Sequence, residues 1–293
     1  MCCSVTRFYY TLSAVWFNEL RNIGKQFSGL RALDDVSLTI NKGEIHCLAG
    51  ENGSGKSTLI KIISGVYQPT CGEIVIDGEV VKNLTPIGSV KRAIQVIYQD
   101  FSLFGNLSVA ENLALNNQLR AKQKFVNWQE VRKTAQAAID RLGVSLDLDA
   151  EVGSLPTSSK QLVAIARALM SDAKLIIMDE PTTALTGKEV ETLFRIVRDI
   201  QSRGIAILFV SHKMREMLEI SERLTVIRNG KKITEGPTSD FTEALVIRHM
   251  TGQDINVAPY RKPKAEGVVP RLELKDLTVS GHFEKLNLSV QPG

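Results

Sequence analysis

The chain has 293 residues, 43% apolar and 23% charged, an ordinary balance for a globular protein with a sizeable core. Its 36 basic and 32 acidic residues leave a net charge of +4, too mild to argue for a nucleic-acid partner, and Arg261-Lys262-Pro263-Lys264 reads as a solvated linker. The cysteines at 2, 3, 47 and 71 have neither metal-ligand spacing nor the pattern of a disulfide framework, and no apolar run is long enough to cross a bilayer.

Met1–Phe17 is aromatic-rich and lacks the basic start and apolar block of a secretion signal. It reads as a poorly ordered tail, or as a start placed upstream of the true one. Asn18–Phe27 is a first predicted strand, and Ala32–Ile40 a second that alternates apolar and polar residues. Ile45–Ala49 is a short apolar strand. It runs into Gly50-Glu51-Asn52-Gly53-Ser54-Gly55-Lys56-Ser57, which fits the phosphate-loop pattern G-x-x-x-x-G-K-[ST] at every position. A helix, Thr58–Ser64, runs out and stops at Gly65. The glycines let successive N–H groups curl round phosphate oxygens without Cβ clashes, and the helix N-terminus adds its positive dipole end. Lys56 is expected to reach the β- and γ-phosphates, and the Ser57 hydroxyl to ligate Mg²⁺. This stretch predicts binding of a nucleoside triphosphate.

Gly72–Val81 is a predicted hairpin turning at Asp77-Gly78. With the first two strands it predicts a small antiparallel sheet beside the phosphate-binding core. Ile94–Tyr98, Leu175–Met178 and Ile205–Val210 are short apolar runs suited to buried parallel strands. Gln99, after the first of these, is within reach of a metal and an attacking water. Between Gln99 and Val163 the pattern turns helical; Asn127 caps a helix with the apolar face Val131, Ala135, Ala138, Ile139 and Leu142. Asp179 and Glu180 end the second apolar run. Asp179 is assigned to Mg²⁺, directly or through water, and Glu180 to polarising the attacking water. Lys188–Ser202 is an amphipathic helix. His212 follows the third run, at the strand end where α/β folds bind ligands, and can donate to the γ-phosphate. Leu224–Glu235 is a second hairpin, turning at Asn229-Gly230.

Gln253–Pro270 is polar and proline-containing. Beyond it, Arg271–Leu277 echoes Phe17–Ile23, and Leu286–Gly293 echoes Val36–Gly43, so the chain begins a second copy of its opening sheet.

Taken together, Phe27, Gly50–Thr58, Gln99, Leu155–Leu169, Asp179-Glu180 and Ser211-His212 resemble an ABC transporter ATP-binding domain in order and spacing. Within that family the chain is most similar to the monosaccharide-importer ATPases, which carry two fused ATP-binding domains. The resemblance implies an α/β fold: a P-loop NTPase with a RecA-like parallel sheet, an antiparallel β subdomain and an inserted helical subdomain. It implies an ATP-binding domain over 18–252, a linker over 253–269 and the start of a second domain over 270–293. It implies that Phe27 stacks on adenine and that ATP and Mg²⁺ are the cofactors. Glu180, His212 and Gln99 would be catalytic, with Ser57, Gln99 and Asp179 at the metal. It also implies an integral-membrane permease, a periplasmic sugar-binding protein acting indirectly, a second ABC domain, and a peripheral position on the cytoplasmic face of the inner membrane. Phe101–Leu107 is a candidate docking surface. Two positions depart from the family. The signature Leu-Ser-Gly-Gly-Gln is here Leu155-Pro156-Thr157-Ser158-Ser159, and Thr186 stands where an aspartate is usual. Since the signature closes on ATP held by the opposite domain, this chain is expected to bind MgATP and hydrolyse it slowly. A soluble non-transport ABC ATPase and a non-functional remnant are the alternative readings.

Overall fold

The computed structural model describes residues 16–121, 127–253, 269–281 and 283–291. It divides into two units, Met1–Ile255 and Asn256–Gly293. The expected N-terminal tail, up to residue 15, and the linker from 254 to 268 lie outside the described residues.

The first unit opens with β1 (Trp16–Phe27) and β2 (Leu30–Asn41), both longer than the predicted strands. Trp16 and Phe17, expected in the tail, belong to β1. After β3 (Ile45–Ala49) and α1 (Lys56–Ile63) come β4 (Cys71–Ile76) and β5 (Glu79–Val81), then α2 (Pro86–Lys91) and β6 (Ile94–Ile97). The helical stretch holds α3 (Val109–Ala121), α4 (Trp128–Leu142) and α5 (Thr157–Leu169). The chain then alternates through β7 (Leu175–Asp179), α6 (Gly187–Ser202), β8 (Ala206–Ser211) and α7 (Met214–Ile220). It closes with β9 (Arg223–Arg228), β10 (Lys231–Pro237) and α8 (Glu243–Thr251).

Among the described residues, six strands form the main sheet in the order β10-β9-β3-β8-β7-β6. β9, β3, β8, β7 and β6 run parallel, and β10 is an antiparallel edge. The hairpin expected at 224–235 is therefore part of this sheet. Every residue of β3 and β8 is buried, as central strands covered on both faces require. Ile45, Cys47 and Ala49 face one core, with α5, α6 and the helical subdomain. Leu48 faces the other, with Leu59, Ile60 and Ile63 of α1 and the buried alternate residues Val36, Leu38 and Ile40 of β2. The second sheet, β2-β1-β4-β5, is antiparallel throughout. Its β4–β5 turn has both Asp77 and Gly78 at positive φ, as a two-residue hairpin turn demands.

In α4 the Asn127 side chain accepts from the Gln129 and Glu130 amides, Gly143 ends the helix in the left-handed region, and the buried residues are those of the predicted face.

The second unit holds β11 (Leu272–Val279) and β12 (Phe283–Val290). Leu272, Leu274 and Leu277 pair with Val290, Leu288 and Leu286. In the opening hairpin Asn18, Leu20 and Ile23 pair with Ile40, Leu38 and Val36. Each hairpin has one left-handed residue on each strand, Asn22 and Asp35 in one, Asp276 and Lys285 in the other. In each, a first-strand amide donates to a facing side chain at 2.9 Å, Asn22 to Ser37 Oγ and Asp276 to Asn287 Oδ1.

Candidate functional site: a phosphate-loop cleft

The loop from Gly50 to Gly55 leaves the carboxyl end of β3 and enters α1 at Lys56. Close packing explains two of its glycines. A Cβ on Gly50 would lie 2.4 Å from the Ile227 carbonyl oxygen, and one on Gly55, at φ 108, 2.8 Å from that of Ala32. Lys56 is buried and curls back over its own loop, donating to the carbonyls of Gly50 at 2.7 Å and Glu51 at 2.9 Å. Burial lowers its pKa, opposed by the negative charges of Glu180 and Asp179. Ser54 is buried with its hydroxyl unpaired. Ser57 is exposed and Thr58 half-buried at the start of α1.

Asp179 ends β7, half-buried. Burial and then the neighbouring Glu180 push its pKa up, while Lys56 pulls it down. Glu180 has a left-handed backbone (φ 49) and donates its amide to the Val210 carbonyl at 2.9 Å. That turn brings its carboxylate to His212, whose Nδ1 lies 3.0 Å from Glu180 Oε1. The loop after β8 thus meets the acid after β7 because the two strands are neighbours in the sheet.

Parts of these elements line one cleft of about 500 Å³; Asp179 and His212 are not among its lining residues, nor are Gly50, Glu51 and Ser54 of the loop. Phe27, Gly55, Lys56, Ser57, Thr58 and Glu180 border it, as do Asn52 and Gly53. Phe27 sits at the rim, its ring edge-to-face with Tyr67 at 5.3 Å and Lys25 Nζ 5.1 Å from its centroid. Gln99 is not brought in. Strand β6 ends at Ile97, and Gln99 sits exposed in the following turn, outside the residues that line the cleft. The residues missed by sequence reasoning are Leu30, Arg31 and Ala32 of β2 and the Asn229-Gly230 turn, which also border the cleft. Asn-Gly marks a turn in sequence, but nothing local says which loop the turn touches.

The residues fit a magnesium–polyphosphate ligand. Lys56 supplies a buried cation, and Ser57 and Asp179 supply hard oxygen donors of the kind Mg²⁺ takes. Among the described residues no three acids, histidines or cysteines cluster to hold a metal, so such an ion would depend on phosphate oxygens for its remaining ligands.

Residues 33–183 match the family described as ABC transporter. The chain belongs to the ABC transporter family. It is 39% identical over 276 residues to the ribose import ATP-binding protein RbsA of Lacticaseibacillus paracasei, covering 94% of this chain and 55% of that one. It is 40% identical over 275 residues to the ribose import ATP-binding protein RbsA 3 of Rubrobacter xylanophilus, again 94% and 55%. The chain thus spans about half the length of the curated relatives it matches. Among solved structures it resembles a nucleotide-free ATP-binding cassette from an ABC transporter, with TM-score 0.71 and 28% identity over 85% of this chain and 100% of that one. It also resembles an ATP-binding cassette in its ADP conformation, with TM-score 0.69 and 30% identity over 80% and 94%.

In this ABC chain the segment Leu155–Ser159 leads into α5. Pro156 precedes the first turn, without a side-chain cap. The Ser158 hydroxyl hydrogen-bonds Glu189 and, with the Thr186 amide and hydroxyl, holds that carboxyl below its ordinary pKa. Thr186 donates both its amide and its hydroxyl to Glu189 Oε2, each at 2.8 Å. An aspartate at 186 would bring a second negative charge to Glu189 and no hydroxyl donor.

Proposed function

We propose that this chain is the ATP-binding and ATP-hydrolysing part of a subunit that energises import of a monosaccharide through a separate membrane permease. The observation that carries the reading is the cleft lined by phosphate-loop residues, the buried Lys56 and Glu180, with His212 held against Glu180 at 3.0 Å. In this reading Phe27 stacks on adenine, Lys56 turns from its own carbonyls to the β- and γ-phosphates, and the loop amides ring the phosphate oxygens. Ser57 and Asp179 hold Mg²⁺, with Gln99 reaching it only if its turn moves inward. That ion, when bound, neutralises charge on the phosphates. Glu180 accepts the proton of the attacking water, and His212 orients Glu180 and faces the γ-phosphate.

The import reading draws on relatives named as import ATP-binding proteins for ribose or for ribose, galactose and methyl galactoside, and its cargo is a monosaccharide. The permease would dock on the segment Phe101–Leu107, and the sugar-binding protein would act on the permease outside the membrane. Two observations support this surface. Arg167 of α5 donates to the Phe101 and Ser102 carbonyls, and Asn112 of α3 donates to the Phe104 carbonyl and accepts from its amide. Braced so, the segment holds Phe104 half out in water, at 50% exposure. No helix among the described residues is long and apolar enough to cross a membrane, in keeping with a peripheral subunit at the cytoplasmic face.

Residues 18–252 are one ATP-binding domain in this reading, and 270–293 begin a second. The common register, left-handed positions and amide-to-side-chain bond of the two hairpins support the repeat. With Pro156 and Thr157 in the signature, the 293-residue chain alone binds MgATP and turns it over slowly. Equilibrium dialysis against MgATP, followed by a steady-state phosphate-release assay, tests this. Saturable binding with slow turnover is expected. Folded protein that takes up no MgATP ends the reading, and fast turnover ends the part that requires a second domain.

A further inference from the structure

The β9–β10 turn lies far in sequence from the phosphate loop, yet its backbone holds that loop directly. The Gly230 amide donates to the Ser54 carbonyl at 2.9 Å, and the Gly230 carbonyl accepts from the Asp34 amide at 2.8 Å. A single residue thereby ties the loop to β2. Gly230 has φ +75, and a Cβ added there would lie 2.7 Å from the Ala32 carbonyl oxygen. The loop fits the same place from its own side: a Gly50 Cβ would strike the Ile227 carbonyl, and the ideal Gly55 Cβ lies 3.6 Å from Gly230 Cα. Around these bonds Asp34 pairs with Arg31 at 2.9 Å and with Lys231 at 3.2 Å, closing the turn onto β2 a second time.

We propose that the Asn229–Gly230 turn is a positioning element of the nucleotide site, holding the phosphate loop in its curled form by tying Ser54 to β2. The inference rests on the MgATP reading of the cleft and deepens it. Lys56 braces the loop through the Gly50 and Glu51 carbonyls. That ammonium is also the group a bound phosphate would draw on. The bonds through Gly230 involve no group that the ligand needs, so they persist in the bound state. A loop already held there loses less conformational freedom on binding, and its affinity gains accordingly.

The test is Gly230→Ala in the full chain, with Gly78→Ala as its control. Gly78 occupies the same place in the β4–β5 turn at φ +82, but nothing lies within 4 Å of an added Cβ. Both variants carry the strain of a left-handed alanine; only in Gly230→Ala does the added Cβ strike β2, at the Ala32 carbonyl, and so shift the residue that holds Ser54. Isothermal titration with MgATP is expected to show at least about a tenfold loss of affinity for Gly230→Ala and no change for Gly78→Ala. Equal affinity of Gly230→Ala and wild type overturns the proposal, and so does an equal loss in Gly78→Ala. Should Gly230→Ala not fold, hydrogen exchange on the wild type decides. The Gly230 and Asp34 amides are expected to slow with MgATP, and an unchanged rate while the phosphate loop slows overturns the proposal. Wild type that binds no MgATP fails the parent reading instead.

Discussion

Lys56 makes two hydrogen bonds inside its own loop, and its ammonium has a third N–H donor to offer a triphosphate. The gain must come from charge: contacts to ionised oxygens are roughly twice as strong as neutral ones. Lys56→Ala should therefore weaken MgATP about 10- to 100-fold, measured by titration calorimetry, without unfolding the chain. Glu180 differs, because it borders the cleft and is held by His212 at 3.0 Å. Glu180→Gln keeps the shape and removes the carboxylate that the proposed function assigns as base. Hydrolysis should fall about 10²- to 10⁴-fold in a phosphate-release assay while MgATP affinity changes little. A buried trio at the other end of β3 sets a pH response. His46 bridges Glu44 and Thr225, at 2.8 Å to each, and Asn41 donates to Glu44. Burial opposes ionisation of Glu44, but the hydrogen bonds from His46 and Asn41 and the charge of His46 outweigh it and lower its pKa. A carboxyl whose pKa is lower folded than unfolded adds stability above the unfolded value, and that stability disappears as pH falls through the folded value. Urea melts should accordingly show wild type losing stability on acidification below the ordinary glutamate range. Glu44→Gln should lose less over that window, starting from a lower plateau at neutral pH. The phosphate loop, Asp179 and Glu180 were legible in sequence because each is a local pattern. The His46 bridge was not, since its partner Thr225 is 179 positions away.

Helix α4 shows what an element owes to its ends. Asn127 accepts from two amides of the first turn, and Gly143 closes the last. Asn127→Ala should cost about 0.5–2 kcal/mol in chemical denaturation, the usual range for losing such a cap. Its apolar face was readable because the 3.6-residue period survives in any helix that covers a core. Short elements were harder. α2, α7 and α8, of six, seven and nine residues, did not emerge from the pattern. Segments so short carry too few periods to stand out and owe their helicity to packing. Strand β6 was drawn one residue too long, which moved Gln99 from a strand end to a turn. The β9–β10 hairpin was read as a hairpin, but its membership in the main sheet depends on β9 pairing with β3, where Cys47 faces Leu224, 177 positions away.

At the scale of the whole molecule, the two hairpins make a natural comparison. β1–β2 and β11–β12 share register, left-handed positions and an amide-to-side-chain bond. Leu20, Ile23, Val36 and Leu38 are buried in the first, while Leu277, Leu286 and Leu288 are exposed in the second. A two-stranded hairpin is marginal alone, so its protection against exchange reports the surface that covers it. Hydrogen exchange should show slow amides in β1–β2 and fast ones in β11–β12; equal protection would contradict this account. Patterns carried within a few neighbouring residues were determined by the sequence alone: the phosphate loop, the acidic pair, the Asn-Gly and Asp-Gly turns, the face of α4 and the family. Tertiary structure decided which distant segments meet there. It set Glu180 against His212, Gly230 against Ser54 and Ala32 beside the cleft, and it left Gln99 outside. The physical reason is that local conformation follows from sterics and hydrogen bonds between near neighbours, whereas those contacts follow from the order in which strands pair across a sheet.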